Sequence, residues 1–182
     1  MLARHWCLQI LCAWLSVLLC GTLDGGQAGA DDSPLQLAIF RVDVTPTIGN
    51  GPCVGCMPKV ASIEHPLELR GLVIRAGNDS YVIAAVDFCG ICNTSDETLR
   101  DAMARAASTT RERVALQSLH QHSAPILDAD AVRLLHGDQS EQLEQHLRYT
   151  NDIAARTAKA MEKSLTDLKP VTHVVATKAQ VE

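Results

Sequence analysis

The chain has 182 residues, of which 47% are hydrophobic, 20% charged and 3% aromatic, with a formal net charge of -5. These values exclude collagen-like, coiled-coil and disordered classes, and no basic block is present that could follow a phosphate backbone, which argues against nucleic acid as a partner. With residues 1–30 set aside as a leader, the remaining 152 suffice for one domain with its own core, or part of a larger one.

Residues 1–30 open with Arg4 and His5, continue through the apolar run 6–19 and reach Ala28-Gly29-Ala30 ahead of two aspartates. That layout is expected of a cleaved secretory signal peptide and predicts a secreted or periplasmic protein. A membrane anchor is the competing reading, but the run has 14 residues with Gln9 inside it, short of the roughly 20 needed to cross a hydrocarbon core. Cys7, Cys12 and Cys20 leave with the leader, so the mature chain keeps Cys53, Cys56, Cys89 and Cys92 in oxidising surroundings.

In the mature chain, residues 35–44 alternate apolar and polar side chains and end at Thr45-Pro46, which predicts a first strand closed by a breaker. Residues 46–66 hold four prolines, three glycines and two cysteines and read as a long loop lining a surface or a site. Residues 67–76 and 80–88 read as two antiparallel strands joined at Gly77-Asn78-Asp79. A helix is predicted over 96–108, with Ser95 as its N-cap and Leu99 and Met103 on its apolar face. Residues 113–119 form a further strand, residues 140–168 a long helix with a break near Thr150-Asn151, and residues 171–181 a last strand after Pro170. The order β-β-β-α-β-α-β predicts an α/β fold, a mixed β-sheet flanked by helices.

Within it, residues 80–119 form a strand, helix and strand that a right-handed crossover places parallel, with both C-terminal ends on one sheet edge. Open α/β sheets put their sites at that edge. Asp87 ends a strand whose preceding residues 82–86 are all apolar, so its carboxylate is expected to emerge from a dry core. His120 and His122 follow the neighbouring strand, and residues two apart in an extended segment point the same way. Paired imidazoles suit a divalent metal; two exposed loop histidines, or a pair stabilising the turn, are the plainer alternatives. A catalytic zinc takes three protein ligands and an open position, and two histidines and a carboxylate are what this edge offers.

The cysteines form Cys53-x-x-Cys56 and Cys89-x-x-Cys92, with residues 57–88 between the pairs. Disulfides, a thiolate metal site and an exchanging redox pair are all open readings, with export favouring disulfides, and the spacing allows three pairings. His65 is read as a loop histidine, and His136, His146 and His173 have no sequence partner; His146 is expected on a helix surface. Asn78-Asp79-Ser80 and Asn93-Thr94-Ser95 fit the glycosylation sequon.

Four segments, in order, resemble the neutral/alkaline (non-lysosomal) ceramidases and their bacterial relatives. Phe40-Arg41-Val42-Asp43-Val44-Thr45-Pro46 is similar to that family's opening D-I-T-P strand, and Ile63-Glu64-His65-Pro66-Leu67-Glu68-Leu69-Arg70-Gly71-Leu72-Val73-Ile74 to its H-D-P-L-x-A-R-A-L-V segment. Val86-Asp87 is similar to its strand-ending aspartate, and residues 113–125, with His120-Gln121-His122-Ser123-Ala124-Pro125, to its T-H-T-H-S-G-P. Leu119 and Gln121 stand where that pattern has threonines, Ala124 where it has glycine, and Glu64 where it has histidine, with His65 one place off.

The resemblance implies a zinc-dependent amidohydrolase in which His120 ligates the metal and His122 stands beside the site as an orienting or proton-handling group; on the reading adopted here Asp87 joins His122 in orienting groups or moving protons. It further implies hydrolysis of an N-acyl amide such as ceramide by metal-activated water, with a small-molecule or lipid amide as partner and peripheral contact with a membrane. The family's remaining ligands, a histidine, a glutamate and a tyrosine, lie beyond the matched region, so the chain is expected to be the N-terminal part of a larger domain. Two rival readings stand beside this one: a disulfide-stapled exported module without catalysis, and a thiolate-metal or redox protein built on the cysteine pairs.

Overall fold

The computed structural model describes residues 33–49 and 60–180. The leader, Cys53, Cys56, part of the long loop and the end of the predicted last strand lie outside those residues. Strands β1 (Gln36–Asp43), β2 (Glu68–Ala76) and β3 (Asp79–Val86) form an antiparallel meander. Their alternating side chains do what a half-buried sheet requires. The β2–β3 turn is tight because Gly77 takes φ +57°, a left-handed conformation that costs glycine little.

After a short strand β4 (Gly90–Ile91), helix α1 (Asn93–Ala106) crosses over to β5 (Val114–Ser118). There β5 pairs with β3 in parallel, Val86 opposite Ser118. Strand β6 (Ile126–Leu127) pairs in parallel with β4. Helices α2 (Ala129–His136) and α3 (Glu141–Leu165) follow, and β7 (Lys169–Pro170) closes the order β5-β3-β2-β1-β7 of a five-stranded mixed sheet. The fold is α/β, as the sequence predicts.

One face of the sheet carries Phe40, Val73 and Val82, which bury against Leu99 and Met103 of α1 and Ile153 and Met161 of α3. Each such side chain contributes about 1.5–3 kcal/mol on leaving water. Gly71 is fixed by this packing: a Cβ there would lie 2.4 Å from the Phe40 ring and 2.8 Å from the Ile83 carbonyl oxygen. On the other face, Ile39, Tyr81 and Ile83 remain exposed; the register places Ile39, Leu72 and Ile83 in one row and Leu37, Ile74 and Tyr81 in the next. The expectation that the apolar run 82–86 lies in a dry core is therefore corrected, because this strand has one buried and one wet face, and Asp87 beyond it is half-buried.

Helix α1 begins three residues before the predicted start and is not capped by Ser95. Its first turn is satisfied from α2 instead, where Asp130 accepts the Thr94 N–H at 3.0 Å and the Thr94 hydroxyl at 2.6 Å. Those bonds hold the Asp130 carboxyl below its usual range. Ser95 is buried and uses its Oγ to accept the Ala129 N–H at 3.0 Å, joining α1 to α2. The sequence reading missed α2, a helix of eight residues whose N-cap, Asp128, accepts the Ala131 N–H.

Helix α3 runs unbroken through Thr150 and Asn151, with Ser140 as its N-cap. His146 is buried, not exposed, because it falls on the stripe Leu143, His146, Thr150, Ile153, Thr157, Met161. The predicted strand over 171–181 does not form among the described residues, and the two-residue β7 precedes it. Val171 donates its N–H to the Leu35 carbonyl at 2.7 Å, one residue beyond the β1–β7 pairing in which Gln36 lies opposite Pro170. Residues 172–180 carry no regular structure. Among the described residues no helix is long and apolar enough to cross a membrane.

Candidate metal centre at the sheet edge

Because β3 and β5 are parallel, the segments that follow them leave the sheet side by side. Leu119 donates its N–H to the Val86 carbonyl at 3.0 Å, and His120 to the Phe88 carbonyl at 3.0 Å. Cys89 is held from the other side, its N–H on the Pro125 carbonyl at 2.9 Å. His120 takes φ +61°, a left-handed conformation that costs a non-glycine residue roughly 1 kcal/mol or more.

That turn, not an extended segment, brings the imidazoles together. The His120 and His122 rings stand edge to face, 5.0 Å between centroids. His120 Nδ1 lies 2.8 Å from the Cys89 carbonyl oxygen. A carbonyl can only accept, so the proton sits on Nδ1 and Nε2 keeps its lone pair. A backbone carbonyl orienting the far nitrogen is the usual support of a metal-binding histidine.

The thiol of Cys89 is buried, with Sγ 3.9 Å from His120 Nδ1. One donor atom each from Cys89, His120 and His122 lies within 4.8 Å of the other two. Nitrogen and thiolate donors are what zinc prefers, at about 2.0–2.1 Å and 2.3 Å, so the residues present suit that metal in kind.

Asp87 shares the edge but not this cluster. Its Oδ2 accepts the Glu68 N–H at 2.8 Å and its Oδ1 the Gln121 side-chain amide at 3.2 Å. It thus ties β2 to the residue between the two histidines. The expected pair of imidazoles with a carboxylate is, in geometry, a pair of imidazoles with a thiol, and the carboxylate braces the loop that carries them. Sequence reasoning missed Cys89 in this place. The available signal was its position three residues past β3, opposite the second residue past β5.

Cys92 is exposed, at the start of α1. Partial burial, with Asp128 and Asp96 nearby, pushes its thiol above the ordinary cysteine range. Cys89 and Cys92 are free thiols, separated by the extended β4, so their Cα atoms are about 10 Å apart, beyond the roughly 7 Å that a bridge spans. A Cys89–Cys92 disulfide or exchanging pair is therefore disfavoured, while pairing with Cys53 or Cys56 falls outside the described residues.

A cleft of about 520 Å³ opens beside His122, walled by Thr45, Ile63, His65, Leu67 and Pro125 among others. Its floor is set by the end of β1. Asp43 Oδ1 accepts the Thr45 N–H at 2.8 Å, and Thr45 Oγ1 accepts the Leu67 N–H at 2.9 Å. Bonding to Thr45 keeps the Asp43 carboxyl below its usual range. His65, read from the sequence as a loop histidine, lines this cleft. His136 and His173 are exposed, away from it.

No protein-family model matches the sequence, and neither does any curated protein. Solved structures do match. The crystal structure of neutral ceramidase from Pseudomonas aeruginosa superposes with a TM-score of 0.54 at 21% identity, over 77% of this chain and 23% of that one. A ceramidase complexed with C2 does so with a TM-score of 0.54 at 20% identity, over 75% and 22%. The chain has a ceramidase-like fold. It spans about a quarter of the length of the solved ceramidases it matches, and at this identity the likeness is one of fold alone.

Proposed function

We propose that this chain is the N-terminal catalytic part of an exported, zinc-dependent amide hydrolase acting on an N-acyl amide of the ceramide type. The observation that carries the reading is the His120–His122 pair, rings 5.0 Å apart, beside an open cleft on a ceramidase-like fold. His120, its far nitrogen fixed by the Cys89 carbonyl, holds the metal. Bound zinc supplies a Lewis acid that activates water for attack on an amide carbonyl. His122, exposed at the cleft wall, stands beside that metal and orients the groups around it. Asp87, through Gln121, keeps the loop between the histidines in place.

The partner is a small-molecule or lipid amide, reached at a membrane surface, and nucleic acid is not one. The apolar side chains of Ile63, Leu67 and Pro125 in the cleft wall suit the hydrocarbon part of such a substrate. Residues 1–30 direct export, giving a secreted or periplasmic protein.

A second reading, a non-catalytic module of the same fold, is one that a likeness of fold alone at 21% identity also fits. Incubation with a fluorescent ceramide and with simple amides and esters separates the two. Turnover that chelation abolishes and zinc restores supports the hydrolase; no release above buffer under any metal condition rejects it.

A further inference from the structure

We propose that Cys89 is itself a metal ligand, so that Cys89, His120 and His122 form a three-donor site complete within this chain. The inference rests on the reading that His120 holds a metal, and adds to it a thiolate that the family resemblance does not imply.

Four observations support it. One donor atom each from Cys89, His120 and His122 lies within 4.8 Å of the other two, and Sγ of Cys89 lies 3.9 Å from His120 Nδ1, the nitrogen turned to the Cys89 carbonyl. Donors around a tetrahedral zinc stand about 3.3–3.6 Å apart, given the usual bond lengths, so the donors close on an ion by moving about 1 Å. His122 is exposed, and its ring can turn towards the other two. Cys89 is the fixed member, buried and bonded through its own N–H to Pro125 and through its carbonyl to His120. The left-handed backbone at His120 is the kind of strain that persists where surrounding structure holds a functional geometry.

Chemically, binding exchanges the Cys89 thiol proton for a metal–sulfur bond and releases that proton to solvent. Two imidazoles and a thiolate leave one tetrahedral position for water or substrate, as in catalytic zinc sites. A thiolate also shifts preference towards zinc and other thiophilic ions and away from magnesium or calcium, which take oxygen donors.

The rival is a buried cysteine that only fills space, a common fate of this residue. Titrating the reduced full-length chain with Co²⁺ and recording its absorption separates them, because a cobalt–thiolate bond gives a near-ultraviolet charge-transfer band that nitrogen ligands alone do not. The band is expected in the native chain and in a variant with the other six cysteines changed to serine. It is expected to vanish in Cys89→Ser, with zinc affinity falling by more than the roughly 10- to 100-fold that losing an outer partner costs.

Cobalt uptake without that band, or a band that survives Cys89→Ser, overturns the thiolate ligand while leaving His120 as a metal residue. No cobalt uptake at all overturns both. X-ray absorption of the zinc-loaded native chain distinguishes the same cases without any substitution: a sulfur neighbour at about 2.3 Å is expected, and a shell of light atoms only contradicts it.

Discussion

Asp87 accepts the backbone N–H of Glu68 at 2.8 Å, across the end of the β2–β3 pair. The same carboxylate holds Gln121, so one side chain fastens the sheet edge to the histidine loop. Asp87→Ala leaves the Glu68 N–H without this partner and is expected to cost about 1–3 kcal/mol in denaturant unfolding. Asp87→Asn keeps an acceptor oxygen for Glu68 and can still meet the Gln121 amide, so it is expected to cost less. Equal stability of Asp87→Ala and the native chain would show that the brace is unimportant.

His146 is buried on α3, its Nε2 3.4 Å from the Ser95 Oγ. Burial lowers its pKa, against the opposing pull of Asp128. In the window between the folded and the ordinary histidine pKa, the unfolded chain binds the extra proton. This contribution to stability is therefore complete above about pH 6.5 and declines as the pH falls, by at most about 1.4 kcal/mol per pH unit for one proton. Denaturation midpoints measured between pH 7.5 and 5 are expected to fall more steeply in the native chain than in His146→Gln. Parallel curves would remove His146 as a source of the slope.

Much of this architecture was legible in the sequence, for identifiable reasons. Alternation marked β1, β-rich runs on either side of Gly77-Asn78-Asp79 marked β2 and β3, and the strand–helix–strand unit correctly brought the ends of β3 and β5 to one edge. The convergence of His120 and His122 was legible as a result, but not its cause, since a left-handed φ at histidine leaves no mark in the residue pattern. Cys89 as a neighbour of His120 needed the parallel register itself. The burial of His146 had a usable signal: it lies three residues from Leu143 and four from Thr150 on one helical stripe. A histidine at such a position reads as polar until Ser95 of another helix is seen to meet it.

Gly71 lies under the Phe40 ring, and an added methyl group would collide with that ring and with the Ile83 carbonyl. Gly71→Ala is expected to lose about 1–3 kcal/mol through overpacking. Adding Phe40→Leu should recover part of the overpacking loss, because it relieves the ring contact and not the carbonyl. Thermal or denaturant unfolding of Gly71→Ala, Phe40→Leu and the double variant checks this; strictly additive losses would contradict the shared contact.

Thr157 is fully buried on α3, and its hydroxyl has no hydrogen-bond partner among the described residues. Thr157→Val keeps the shape and removes the unsatisfied group, so it is expected to stabilise the fold by about 1 kcal/mol. A loss of similar size in the denaturation midpoint would reveal a partner for that hydroxyl.

The most direct measurement is elemental analysis of the purified chain after zinc loading and exhaustive dialysis, compared between the native sequence and His120→Ala. About one zinc per native chain and close to none in His120→Ala is the expected result for a three-donor centre built around that residue. Equal zinc in the two proteins would show that the metal, if bound, sits elsewhere.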